Sequence, residues 1–211
     1  MKTNSKKKTL KLVELALLVA LVVALQMLSA LIPPIGGTVS ITLTLIPVVV
    51  GGILLGKRAG AILGFFFGAV VLMNCVIALD PGGSVLWNAN PWLTAALCFV
   101  KGIAAGFVPA LLYDIIKGKK KASKTRTFVA TVVAALSAPI ANTGIFIAGM
   151  VLFFQNTLGE WAKSAEYDNI VLYVLVGLAG INFAVEFIVN TVLSPAIVRI
   201  VGAIDKWDSK S

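Results

Sequence analysis

The sequence contains no histidine. That absence removes the commonest metal ligand and the usual general base together, so zinc hydrolysis and His-based catalytic triads are excluded. Cysteine is scarce. Cys75 and Cys98 both fall inside apolar runs, where a free thiol behaves as a small hydrophobe and a disulfide or zinc site has little support. Charge is scarce as well: 13% of the 211 residues are charged, against 59% hydrophobic, with a mean hydropathy of +0.98. This is not the composition of a soluble domain. A membrane span needs roughly 20 apolar residues, so the chain is expected to be all-α, with six transmembrane helices forming a single integral membrane domain over residues 1–211. No length remains for a soluble catalytic domain, and no metal or cofactor is implied.

The run "GGILLGKRAGAILGFFFG" (51–68) carries Gly51, Gly56 and Lys57 at nearly the spacing of a nucleotide-binding P-loop. A P-loop needs a Ser or Thr after the lysine and a strand before the glycines. Here Arg58 follows the lysine, and the surroundings read as membrane helix. A second near match, "GKKKASKT" (118–125), has Ser123 where a glycine belongs and reads as a solvated charge run. The glycines suggest something else. Gly60, Gly64 and Gly68 recur every four residues along one helix face, which lets another helix approach closely in lipid; ordinary packing within the bundle accounts for such a stripe.

The N-terminus "MKTNSKKKTLKLVELALLVALVV" begins like a signal peptide, but its apolar stretch is too long and lacks a small-residue cleavage pattern, so it is read as a retained first span from about Leu10 to Ile32. Pro33-Pro34 stop it. "PPIGGTVSIT" is expected to form a flap or re-entrant cap. A short span follows over Leu43–Leu55, then a basic turn at Gly56-Lys57-Arg58 and a third span over Ala59–Leu79. "DPGGSVLWNANPW" reads as a loop whose Trp87 and Trp92 suit a headgroup-level belt. The fourth span covers Trp92–Ile116, the fifth Phe128–Phe154 and the sixth Ile170–Ile204, with "QNTLGEWAKSAEYDN" as a polar loop between the last two. With six spans every Lys/Arg-rich segment falls on one side, which makes both termini cytoplasmic. The net charge of +9 is thereby explained by topology, and no nucleic-acid partner is implied.

Ionisable and amide side chains within spans are expensive and mark function by default. Lys101 lies about 14 Å into the fourth span at 1.5 Å per residue, near the middle of a roughly 30 Å core. Glu186 shares a helical stripe with Asn182 and Asn190 on the sixth. Asn142 and Thr143 lie about 17 Å below the outer end of the fifth, and Asn74 and Gln26 sit nearer the outer ends of the third and first. Lys101, Asn142 and Asn182 therefore come from three helices at similar depth, consistent with a polar chamber open to the outside. The candidate substrate-binding set is Lys101, Asn142, Thr143, Asn182, Glu186, Asn90, Trp92 and Asn74. A Lys101–Glu186 ion pair that holds the bundle together is the alternative, and the two readings can coexist.

About 200 residues in six spans, both ends inside, the face Ala16, Ala20 and Ala24 in "LALLVALVVALQ", and the run "ITLTLIPVVVGGILLGKRAGAILGFFFG" together resemble the substrate-binding S component of energy-coupling factor (ECF) transporters, vitamin-uptake systems of prokaryotes. The resemblance covers essentially the whole chain. It implies a cell-membrane protein whose Ala16, Ala20 and Ala24 dock on a transmembrane T component, and that T component carries two cytoplasmic ATPases that consume the ATP. It also implies a vitamin ligand taken from outside. A central lysine favours a carboxylate, and amide side chains favour hydroxyl and amide groups beside it; pantothenate has all three, and "APIANTGIFIAGMVLFF" (138–154) looks like the pantothenate group of that family. Trp87, Trp92 and Trp161 would equally stack on a flat ring, which keeps riboflavin or a pyridoxine-like compound open. An ion-coupled secondary transporter is a further alternative, though the two halves of the chain show no convincing repeat. An intramembrane enzyme ranks last, because no nucleophile with a partnered base is present.

Overall fold

The computed structural model describes residues 2–30, 44–118, 123–178, 183–184, 186–192 and 199. The expected flap at 33–42, Asn182 and much of the sixth span lie outside the described residues. All regular structure among the described residues is helical. Among the described residues four helices are long and apolar enough to cross a membrane: α1 (Lys2–Ala30), α3 (Lys57–Val76), α5 (Pro91–Lys117) and α6 (Lys124–Phe153).

Between α1 and α3 lies α2 (Leu45–Leu55), with 11 residues too short to span. It is a core element, with eight residues buried from Leu45 to Ile53. Its start is tied to α1 by the Thr44 hydroxyl, which donates to Gln26 Oε1 at 2.7 Å. Two short helices differ from the sequence reading, α4 (Pro81–Ala89) and α7 (Gln155–Ser164), where loops were expected. The Asp80-Pro81 and Asn90-Pro91 pairs that look like turn formers act instead as helix starts. Asp80 accepts from the Gly83 amide and Asn90 from the Leu93 amide, each at 3.1 Å, and each proline occupies a position where its missing N–H costs nothing. In α7, Leu158 and Ala162 are buried and Trp161 half-buried, so one face packs on Met150, Phe154 and Tyr173 while the other stays polar. The chain continues through α8 (Ile170–Leu172) and a π-helical stretch at Tyr173–Leu178, and residues 183–184 and 186–192 are again helical.

The glycine stripe of α3 meets its counterpart on α5. A methyl group built on Gly60, Gly64 or Gly68 would collide with the carbonyl oxygens of Gly106, Gly102 and Cys98, and one on Gly102 or Gly106 would strike Gly64 or Gly60 in return. The pairing runs antiparallel, with the two backbones in contact where side chains would normally separate them. Helix α6 lies against α5, also antiparallel: Leu97 is opposite Gly149, Lys101 opposite Phe146 and Ile116 opposite Arg126. Lys57, Arg58, Lys117, Lys124 and Arg126 thus collect at one end of the bundle. There the Arg126 guanidinium donates to the Ile116 carbonyl, placing a cation at the C-terminus of α5 where the helix dipole is negative.

The seam sets a sharp expectation. Gly64→Val should lower the thermal midpoint of the purified protein by several degrees or prevent its recovery, because carbonyl backbone cannot yield as a side-chain tip can. Gly144→Ala, where an added methyl meets nothing within 4 Å, should leave the midpoint unchanged in the same melting assay.

Candidate functional site

Polar side chains inside an apolar helix normally satisfy themselves locally. Thr94, Thr131, Ser137, Ser164 and Thr191 all do so, returning their hydroxyls to backbone carbonyls three or four residues back in their own helices at 2.7–2.9 Å. Thr143 does not. Its Oγ1, the adjacent Asn142 Oδ1 and Asn74 Oδ1 are buried without a hydrogen-bond partner, although the three residues are only 6%, 5% and 3% exposed. An unsatisfied buried group costs about 1–3 kcal/mol, so three of them in one bundle call for a molecule that pairs with them.

Two of these orphans sit on the middle of α6, just beyond Pro139, a buried proline that supplies no N–H to the helical ladder. At 100° per residue, Phe146 projects between Asn142 and Thr143 one turn further along. Over its ring, 5.0 Å from the centroid, stands the ammonium of Lys101 from α5. The structure therefore brings together Lys101, Asn142 and Thr143, with Phe146 among them. Lys101 is half-buried. Glu186 itself is 1% exposed on the last helical segment, where its backbone carbonyl accepts from the amide of Asn190 at 2.8 Å.

Asn74 faces the interior beside Phe67, Val71 and Cys75. By the register of the glycine seam it lies roughly 13 Å nearer the outer end than Lys101, at 1.5 Å per residue. Two expected members are elsewhere. The Asn90 side chain caps α5, and Trp92, at the first turn of that helix, is 86% exposed and stands clear of the bundle. Trp87 packs on the main core and Trp161 on the outer cluster under α7. Phe146 is the member that sequence reasoning missed. Its signal was an aromatic one turn from a polar pair, facing a mid-span lysine.

Helix α1 buries one side only. Leu15, Leu18, Val19 and Val22 pack inward, while Ala16, Ala20 and Ala24 are exposed together with Leu17, Leu21 and Leu28. The alanine face is not covered by the described residues of its own chain.

A partly buried cation over an aromatic ring, with amide and hydroxyl groups left over beside it, is equipped to bind a small anionic polar molecule inside a membrane helix bundle. The sequence pattern of the family described as "ECF transporter, substrate-specific component" matches residues 10–198. The chain belongs to that family. It is a multi-pass membrane transport component and not an enzyme. A curated relative, "Pantothenic acid transporter PanT" of Lactococcus lactis subsp. cremoris (strain MG1363), is 26% identical over 194 residues, covering 87% of this chain and 89% of that protein.

If the orphaned groups of this ECF component await a ligand, removing one should help the empty protein. Thr143→Val keeps the shape and deletes the unpaired hydroxyl, so it should raise the ligand-free thermal midpoint by a few degrees, whereas Thr131→Val, which deletes a hydroxyl already bonded to the Thr127 carbonyl, should not. A fall in the Thr143→Val midpoint would show the hydroxyl to be structural.

Proposed function

We propose that this chain is the substrate-capturing S component of an ATP-driven vitamin importer in a prokaryotic cell membrane, and that its ligand is pantothenate. Six spans and cytoplasmic termini fit this reading, since the basic residues of α3, α5 and α6 gather at one end. The vitamin enters from the opposite end, its carboxylate meeting Lys101 and its hydroxyl and amide groups meeting Asn142 and Thr143, while Asn74 lies on the way in; Asn182 and Glu186 would complete the chamber from the last helix. The observation that carries this reading is the pair of unsatisfied side chains on α6 beside a mid-span ammonium. The name of the relative adds the choice of vitamin. A riboflavin or pyridoxine-like ligand is less well served, because Trp92 points away and Trp87 and Trp161 are engaged in packing.

In this reading the ATP is consumed by partners: a transmembrane T component docking on Ala16, Ala20 and Ala24, and two cytoplasmic ATPase subunits behind it. Small residues on a lipid-facing helix allow the close backbone approach on which membrane helices rely for association.

The site and the docking face can be tested separately. Lys101→Ala should weaken pantothenate binding by purified protein at least tenfold in calorimetry, the loss of a charge-assisted contact in a poorly hydrated site; unchanged binding would remove Lys101 from the site. Ala20→Trp should leave pantothenate binding intact and abolish co-purification with a co-expressed T component. Assembly that persists would count against the α1 face.

A further inference from the structure

We propose that Phe146 is the positioning residue that gives the site its preference for a carboxylate, by holding the Lys101 ammonium over its ring face at the level of the orphaned α6 polar pair. This deepens the pantothenate reading and rests on it for the identity of the ligand.

A lysine near mid-membrane has a flexible four-carbon stem and a strongly hydrated head. Its default behaviour is to extend toward the nearer water interface. In this chain it does not have to. The ammonium sits 5.0 Å from the Phe146 centroid, where the negative face of the ring attracts it, and such a contact strengthens as water is removed. The ring is in turn held: Phe146 is half-buried and packs at the edge of the outer cluster of Leu97, Met150 and Phe154. One part of the aromatic is thus anchored in apolar packing, and a face remains for the cation.

The position along α6 matters as much as the contact. Phe146 is four residues from Asn142 and three from Thr143, so the cation rests directly outward of two groups that lack partners. A ligand that satisfies Asn142 and Thr143 would meet the ammonium about one helical turn further along α6. An aromatic face attracts a cation without neutralising it, so the lysine keeps its full charge for an anion. A carboxylate at the same place would have consumed that charge.

The experiment uses the full-length protein and two probes with the same skeleton, pantothenate and its neutral alcohol panthenol. Phe146→Leu should weaken pantothenate three- to tenfold and leave panthenol unchanged, so the ratio of the two affinities falls toward one. Phe146→Tyr, which keeps the ring, should retain the wild-type ratio. Equal weakening of both ligands, or no change in either, overturns the proposal, since a packing role would not distinguish the charge. If Phe146→Leu does not fold, Phe146→Met is read by the same criteria. Reductive methylation of Lys101 by formaldehyde and a borane, followed by mass spectrometry of the ligand-free protein, gives a second readout: the rate should rise at least threefold without the ring. If the wild type binds neither probe, the pantothenate reading fails and the methylation rate alone decides, an unchanged rate disposing of the Phe146 assignment.

Discussion

The close approach of α3 and α5 fixes where everything else can be. Lipid tails are as apolar as leucine, so helices in a bilayer gain little from hiding hydrophobic surface and associate through packing density instead. Gly60, Gly64 and Gly68 against Gly106, Gly102 and Cys98 supply that density by bringing backbone to backbone. A seam of this kind has one register, because sliding it would drive side chains into carbonyl groups. Lys101 is the neighbour of Gly102. Its depth is therefore set by glycines packed against the neighbouring helix.

The second constraint follows from the solvent. In water an unpaired amide or hydroxyl costs little, whereas within a dry bundle Asn74, Asn142 and Thr143 each carry a desolvation penalty. The same helices show the cheaper alternative, with Thr94 and Thr131 returning their hydroxyls to backbone carbonyls. A polar group left unsatisfied beside others that are satisfied needs a partner from outside the helices, water or ligand, and whatever pairs with it only in the folded protein stabilises that state.

Much of the architecture was legible because lipid imposes long apolar runs, and α3, α5 and α6 fall close to the spans predicted. The glycine stripe of α3 was legible as a packing face; its partner on α5 carries the same four-residue spacing at Gly102 and Gly106, but which two stripes meet is a tertiary fact that neither spacing states. Helix α7 was misread as a loop because its polar composition hides a short apolar face that tertiary packing buries, and α4 because Asp-Pro punctuates a chain in either sense. The same ambiguity placed Asn90 at the site when it caps α5. Lys101, Asn142 and Thr143 stood out because polarity is conspicuous in an apolar span. Phe146 did not, since one more aromatic in "GIFIAGMVLFF" is compositionally silent until a cation is found above it.

Under the proposed function, capture and attachment fall on different helices. The polar groups brought together belong to α5 and α6, on the side of the α3–α5 seam that receives α6, whereas the uncovered alanines belong to α1, which packs on α3 and α2. Between them stand the seam, where backbone meets backbone, and the buried α2. A surface that docks in lipid must stay smooth and a site that binds must stay polar, and one helix face cannot be both. Under the proposed function, a pair of glycine-matched helices between them would let α1 engage a partner while Lys101 and Asn142 stay fixed by the seam. That division is what a subunit needs if the energy for transport is to come from another chain.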